Sequence, residues 1–153
     1  MIALVDGDLA AARRFIAEAA EAAAGMAEPS LLTGIALHRA LAGLLAGDTA
    51  AAQRDADLAA EHISRAGPGV SAATMDTMAV AACVALAGGD AAGAAAGAAE
   101  LADQAGRTGF ALWERVAQRI AEAASAALAD TCPPDPRRYA ALIYVDWPIP
   151  ANG

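Results

Sequence analysis

The chain contains no lysine. All ten basic residues are arginine, set against eighteen acids, for a net charge of −8. Nucleic-acid backbones and anionic lipid surfaces are held by clustered positive charge, so this balance argues against direct nucleic-acid binding and against a membrane partner. Aromatic residues make up only 4% of the sequence, too few for a thick core of large side chains. The two cysteines, Cys83 and Cys132, match neither a CxxC pair nor a zinc spacing, which excludes a disulfide or zinc framework. Cys83 reads as a small core residue. The opening stretch Met1-Ile2-Ala3-Leu4-Val5-Asp6 lacks the basic and apolar segments of a signal peptide. No window of membrane length runs free of glycine, polar or charged residues. The expected residence is cytoplasmic.

Alanine is what the chain has in abundance, 49 of 153 residues. Burying so small a side chain gains little transfer free energy, roughly 0.8 kcal/mol per methylene. Alanine offers high helix propensity and close approach between helix backbones instead. The composition suits thin, tightly stacked helices, and with the absence of lysine it points to a high-GC bacterial genome.

Four aspartates, Asp8, Asp48, Asp90 and Asp130, stand 40, 42 and 40 positions apart. The first three follow a glycine and open an alanine-rich run, each a good helix N-cap. A period near 40 is the mark of a stacked helical repeat. Punctuation by Gly25, Pro29-Ser30, Gly47, Gly67-Pro68-Gly69, Gly88-Gly89 and Gly106 divides the chain into about six helices. They run from Asp8 to Ala24, Leu31 to Ala46, Asp48 to Ala66, Ser71 to Ala87, Asp90 to Gly106 and Phe110 to Leu128. Phe15, Ile16 and Ala19 supply the apolar face of the first. Gly93 and Gly97, one turn apart in the fifth, predict a neighbouring helix lying very close there.

The minimal links at each Gly-Asp pair require antiparallel hairpins. The fold class is therefore all-α: helix hairpins stacked as a short right-handed superhelix over residues 1–130. Met1–Val5 reads as the remnant of a leading half-repeat, and Asp130 opens a fourth repeat that Pro133-Pro134 halts. Residues 131–153 form an irregular tail, with a stiff Pro-rich spacer and strand propensity at Leu142–Val145. Tyr139, Tyr144 and Trp147 are its docking candidates, either on the open end of the last helix pair or on a partner or a second copy, the last of which would give a homodimer.

The repeats resemble tetratricopeptide repeats, in the long-period form of the sensor regions of large bacterial transcriptional regulators. The likeness rests on Gly-Asp at the turn and small residues four and about eleven positions past it: Ala12 and Ala19, Ala52 and Ala59, Ala94 and Leu101. The stretch 101–114 is also similar to the inter-repeat segments of those proteins. The period exceeds the usual 34, and bulky positions of the family are Ala36 and Gly43 here. The resemblance implies a superhelix whose first-of-pair helices line a concave groove for a protein or peptide.

No catalytic set emerges. Asp55 and His62 lie seven positions apart, about 10.5 Å along a helix, too far for one ion, so no metal is expected. No phosphate-binding glycine loop or nucleophile elbow is present, and no cofactor is expected. The function read from the sequence is a non-enzymatic scaffold, with His38, Arg39, Asp76, Arg115 and Arg119 as groove contacts. A closed, filled groove would count heavily against it. The alternative is a small-molecule binder or minor biosynthetic enzyme, with the tail as lid through Arg137, Arg138, Tyr139, Tyr144 and Trp147.

Overall fold

The computed structural model describes residues 8–67, 69, 71–129 and 135–143. Among them are seven helices and no strand: α1 (Leu9–Ala22), α2 (Pro29–Ala46), α3 (Thr49–Arg65), α4 (Ala72–Ala87), α5 (Ala91–Thr108), α6 (Ala111–Ala129) and α7 (Pro136–Ala140). Asp130 and the first residues of the spacer, 131–134, lie outside the described residues, as do Tyr144 and Trp147.

The Gly-Asp periodicity has a direct structural counterpart. Asp8, Asp48 and Asp90 adopt nearly the same backbone conformation, with φ of −78°, −93° and −87°. Each carboxylate accepts the backbone N–H three residues on, from Ala11 at 2.9 Å, Ala51 at 2.9 Å and Gly93 at 2.8 Å. The glycines before the second and third caps are left-handed, with φ of 77° at Gly47 and 85° at Gly89. At both turns the same pair of hydrogen bonds closes the preceding helix. Asp48 N–H donates to Gly43 C=O and Gly47 N–H to Leu44 C=O; Asp90 and Gly89 do likewise to Ala85 and Leu86. This is a Schellman ending passed directly into an Asp cap, so each hairpin turns in two residues.

The hairpins stack in two layers. The even-numbered helices α2, α4 and α6 pack on one another, while α3 and α5 pack on the even helices either side of them and α1 chiefly on α2. The inner layer carries the large buried side chains, among them Leu37, Leu41 and Leu44 on α2, Met75, Val80 and Leu86 on α4, and Trp113, Val116 and Ile120 on α6. The outer helices meet it mainly through alanines, Ala12; Ala52, Ala56 and Ala59; Ala94, Ala98 and Ala105, with Leu101 of α5 the large fully buried exception. The two buried threonines satisfy their hydroxyls locally, Thr33 on Pro29 C=O at 2.8 Å and Thr77 on Ala73 C=O at 2.7 Å. α2 is long and apolar enough to cross a membrane by length and composition, but here it is the inner-layer helix between α3 and α4.

Several sequence expectations are corrected. α2 begins at Pro29 rather than Leu31, and Glu28 caps it, accepting from Ser30 and Leu31 N–H. α5 continues past Gly106 to Thr108 and stops at left-handed Gly109. Phe15 is 54% exposed, with Arg14 over its ring at 5.1 Å; Ala12 makes the buried contact of α1, and Ala19 is exposed. Of the two glycines of the fifth helix, Gly97 lies against its neighbour, where a Cβ would meet Ala82 Cβ at 3.4 Å; at Gly93 it would meet the capping carboxylate of Asp90 instead. The tightest approach is Gly43, where a Cβ would lie 3.0–3.1 Å from the backbone nitrogen, Cα and Cβ of Ala52.

The largest correction concerns the tail. Residues 135–140 are not a stiff spacer: Asp135 caps a helix that Pro136 opens, and Arg137 N–H donates to the Asp135 carboxylate at 3.1 Å. Leu142 and Ile143 follow in a turn rather than a strand. Nor does this helix cover the end of the last pair: α7 packs across α2 and α4. Pro136 prefers the first helical position, and burial of Ala140 and Ile143 supplies the packing that so short a helix needs.

Candidate functional site

The inner layer gathers most of the residues singled out from the sequence. On α4, Asp76, Val80 and Cys83 fall at i, i+4 and i+7 and share one face. His38 on α2 flanks this face on one side and Arg119 on α6 on the other. His38 is half-buried, and its Nδ1 lies 2.6 Å from Gly34 C=O. Burial pushes the Asp76 carboxyl above its ordinary value, and the charge of His38 opposes that rise. Burial also pushes the Cys83 thiol up to about 12, with the Arg119 guanidinium pulling the other way from across the α4–α6 contact. A thiol held so firmly protonated is a poor nucleophile at neutral pH.

Arg119 is the least satisfied group of the face. Its Nη1 is shut off from solvent and has no hydrogen-bond partner among the described residues. Arg115, one turn earlier, is exposed, and Leu112, a further turn back on the same side of α6, is 46% exposed. Glu122 is three positions from Arg119, but it accepts from Gln118 at 3.0 Å. Arg39 stands apart from this group. It turns to its own hairpin partner, with Nε 3.2 Å from Asp55 Oδ1 on α3.

The inner face is not an open groove. α7 covers its α2–α4 part, burying Ala140 and Ile143, with Tyr139 and Leu142 partly buried against the same core. Arg137 and Arg138 stay exposed on its outer side. α6 is the inner helix on which α7 does not chiefly pack. Sequence reasoning missed this placement, although Asp135-Pro136 carried the signal: a capping residue followed by proline at the first helical position.

A separate cleft of about 310 Å³ lies between α4 and α5, lined by Met78, Ala81, Ala82, Ala85, Asp90, Gly93, Gly97 and Glu100. Met78, Ala81 and Ala85 are on the opposite side of α4 from Asp76 and Cys83, by the 3.6-residue repeat of the helix. The cleft therefore does not lie against the face that bears His38 and Arg119. Among the described residues no three His, Cys, Asp or Glu side chains converge as metal ligands.

Compared with known protein families, with curated proteins and with solved structures, the chain gives no match to any of the three.

Proposed function

We propose that this protein is a non-enzymatic helical-repeat scaffold that binds a short helical segment of a partner protein on the inner face of its even-numbered helices. The observation that carries this reading is the seating of α7. A five-residue helix cannot hold itself in water, so the α2–α4 surface must supply its order. A surface that orders the chain's own short helix has the shape and apolar character to take another in the same mode.

The filled α2–α4 part weighs against a groove standing open along its whole length. What fills it is a five-residue helix and the turn after it, whose Ala140 and Ile143 join the buried core while Tyr139 and Leu142 pack against it. The resemblance to sensor regions of bacterial regulators adds a regulatory setting to the proposal.

The test is an NMR titration of the full chain carrying Ala140→Asp and Ile143→Asp, which places charge where α7 docks. A synthetic peptide of residues 135–143 should shift resonances of α2 and α4 in this variant and do so far less in the parent chain. A folded variant that ignores the peptide would overturn the reading.

A further inference from the structure

The α2–α3 and α4–α5 hairpins share one turn, so their residues correspond position by position outward from Asp48 and Asp90. In the first hairpin the space between the helices is filled. Gly43 lets Ala52 press against the backbone of α2, Leu58 packs on the core, and Arg39 reaches across with Nε 3.2 Å from Asp55 Oδ1. In the second hairpin each of these positions is changed. Ala85 stands in place of Gly43, Ala81 in place of Arg39, Gly97 in place of Asp55 and Glu100 in place of Leu58.

The Cβ that Ala85 adds holds α5 off the spot where α3 closes on α2. The ion pair that bridges the first hairpin is reduced here to a methyl group and a hydrogen. The result is the cleft of about 310 Å³ between α4 and α5, with Met78 and three alanines of α4 as its apolar wall. Its other wall is acidic at both ends. Asp90, Gly93, Gly97 and Glu100 fall at i, i+3, i+7 and i+10 and share one face of α5. At 1.5 Å per residue, the two acids stand about 15 Å apart along the helix axis. Asp90 Oδ1 accepts the Gly93 N–H, and the lack of a Cβ at Gly93 lets Oδ2 lie over the helix there. Glu100 is exposed and joins no ion pair among the described residues.

We propose that this cleft binds a linear aliphatic polyamine, with its methylene chain along the alanines and an ammonium group at each acidic end. The first hairpin shows what the fold puts in this space: the aliphatic stem of Arg39, ending in a cation beside a carboxylate. Shape and charge then select the ligand. A methyl-lined wall takes methylenes out of water favourably. Two carboxylates so far apart call for two cations on one long chain, and an arginine or lysine side chain of a partner carries only one. The net charge of −8 raises the local concentration of polycations around the molecule. The cleft lies on the opposite side of α4 from the inner face, so this site stands or falls independently of the scaffold reading.

The experiment titrates the full chain with spermine, 1,4-diaminobutane and butylamine, following the amide resonances of Ala81, Gly93 and Gly97. Spermine should bind most tightly, the short diamine less so and the monoamine least, with all three weakened by added salt. Glu100→Gln should weaken spermine about fivefold, whereas Glu21→Gln, a change of equal charge on exposed α1, should leave its affinity unchanged. The double change Ala81→Arg with Gly97→Asp copies the ion pair of the first hairpin into the second. It should abolish spermine binding and raise the melting temperature; if that variant does not fold, Glu100→Gln still decides. Equal losses from Glu100→Gln and Glu21→Gln would show diffuse attraction to an acidic surface and overturn the site. Butylamine binding as tightly as spermine would overturn the two-ended reading. A short arginine-containing peptide that fills the cleft more tightly than spermine would overturn the choice of a free amine over a partner protein.

Discussion

The two layers of this molecule solve the same packing problem with different residues. Inner α4 buries Met75, Val80, Cys83, Val84 and Leu86 and has almost no polar face. Outer α3 buries only Ala52, Ala56 and Ala59, with Gln53, Arg54, Asp57 and Glu61 exposed on its other side. The difference separates two contributions that are usually mixed in one helix. The inner layer contributes buried apolar area, which carries most of the transfer free energy. The outer layer contributes proximity, since an alanine seam lets it lie close while burying little.

If that division holds, truncations in the two layers should differ several-fold. Leu44→Ala, at a position with no exposed surface, should cost about 2–5 kcal/mol in urea denaturation. Ala56→Gly in the outer seam should cost only about 1 kcal/mol, mainly through helix propensity. Comparable losses at both sites would erase the distinction between area and proximity.

Proximity itself is open to test at the glycines. Gly43→Ala would press a methyl group into the backbone of Ala52, where nothing can rotate aside, and should destabilise by about 1–3 kcal/mol. Gly97→Ala meets only the Cβ of Ala82 at ordinary contact distance, so it should be neutral or stabilise by up to about 1 kcal/mol. The two hairpins are thus predicted to respond with opposite sign to the same change, measured as shifts of the denaturation midpoint.

How much of this was legible beforehand follows from how local each determinant is. The caps at Asp8, Asp48 and Asp90 were legible because an N-cap is written within four residues. The hairpin turns were legible because left-handed glycine followed by a cap needs no distant partner. Gly43 was not: it stood out only as a departure from a bulky family position, and the reason for it lies on Ala52 of the next helix. Arg39 and Arg119 were indistinguishable as groove candidates from spacing alone, and only the placement of Asp55 draws Arg39 away. The helix α7 was hidden because prolines and β-prone residues pointed elsewhere, and its order depends on the inner layer it packs against.

The caps give a third, smaller contrast. Asp48→Ala and Asp90→Ala should each cost about 0.5–2 kcal/mol. Because the two turns share one hydrogen-bond pattern, their losses should agree closely in thermal melts. A large disagreement would show that the repeats are alike in sequence but not in energetic role.

The smallest expected effect concerns the polar intrusion into the inner layer. Among the described residues, Asp76 is the one carboxylate whose burial clearly raises its pKa above the unfolded value of 3.8. Between the unfolded and the raised folded value, the native state holds a proton that the unfolded state has released. Stability therefore falls as pH rises through that window, and the full penalty persists above it. Asp76→Asn carries no charge to desolvate, so it should be more stable than the parent at neutral pH. Below the unfolded value both carboxyls are neutral, and the advantage should vanish. His38 opposes the shift, so His38→Ala should widen the gap between parent and Asp76→Asn at neutral pH. Urea midpoints for the four chains, single and double variants included, at about pH 3 and pH 7 would decide it. An advantage for Asn that is the same at both pH values would mean that the group acts through packing and not through its charge.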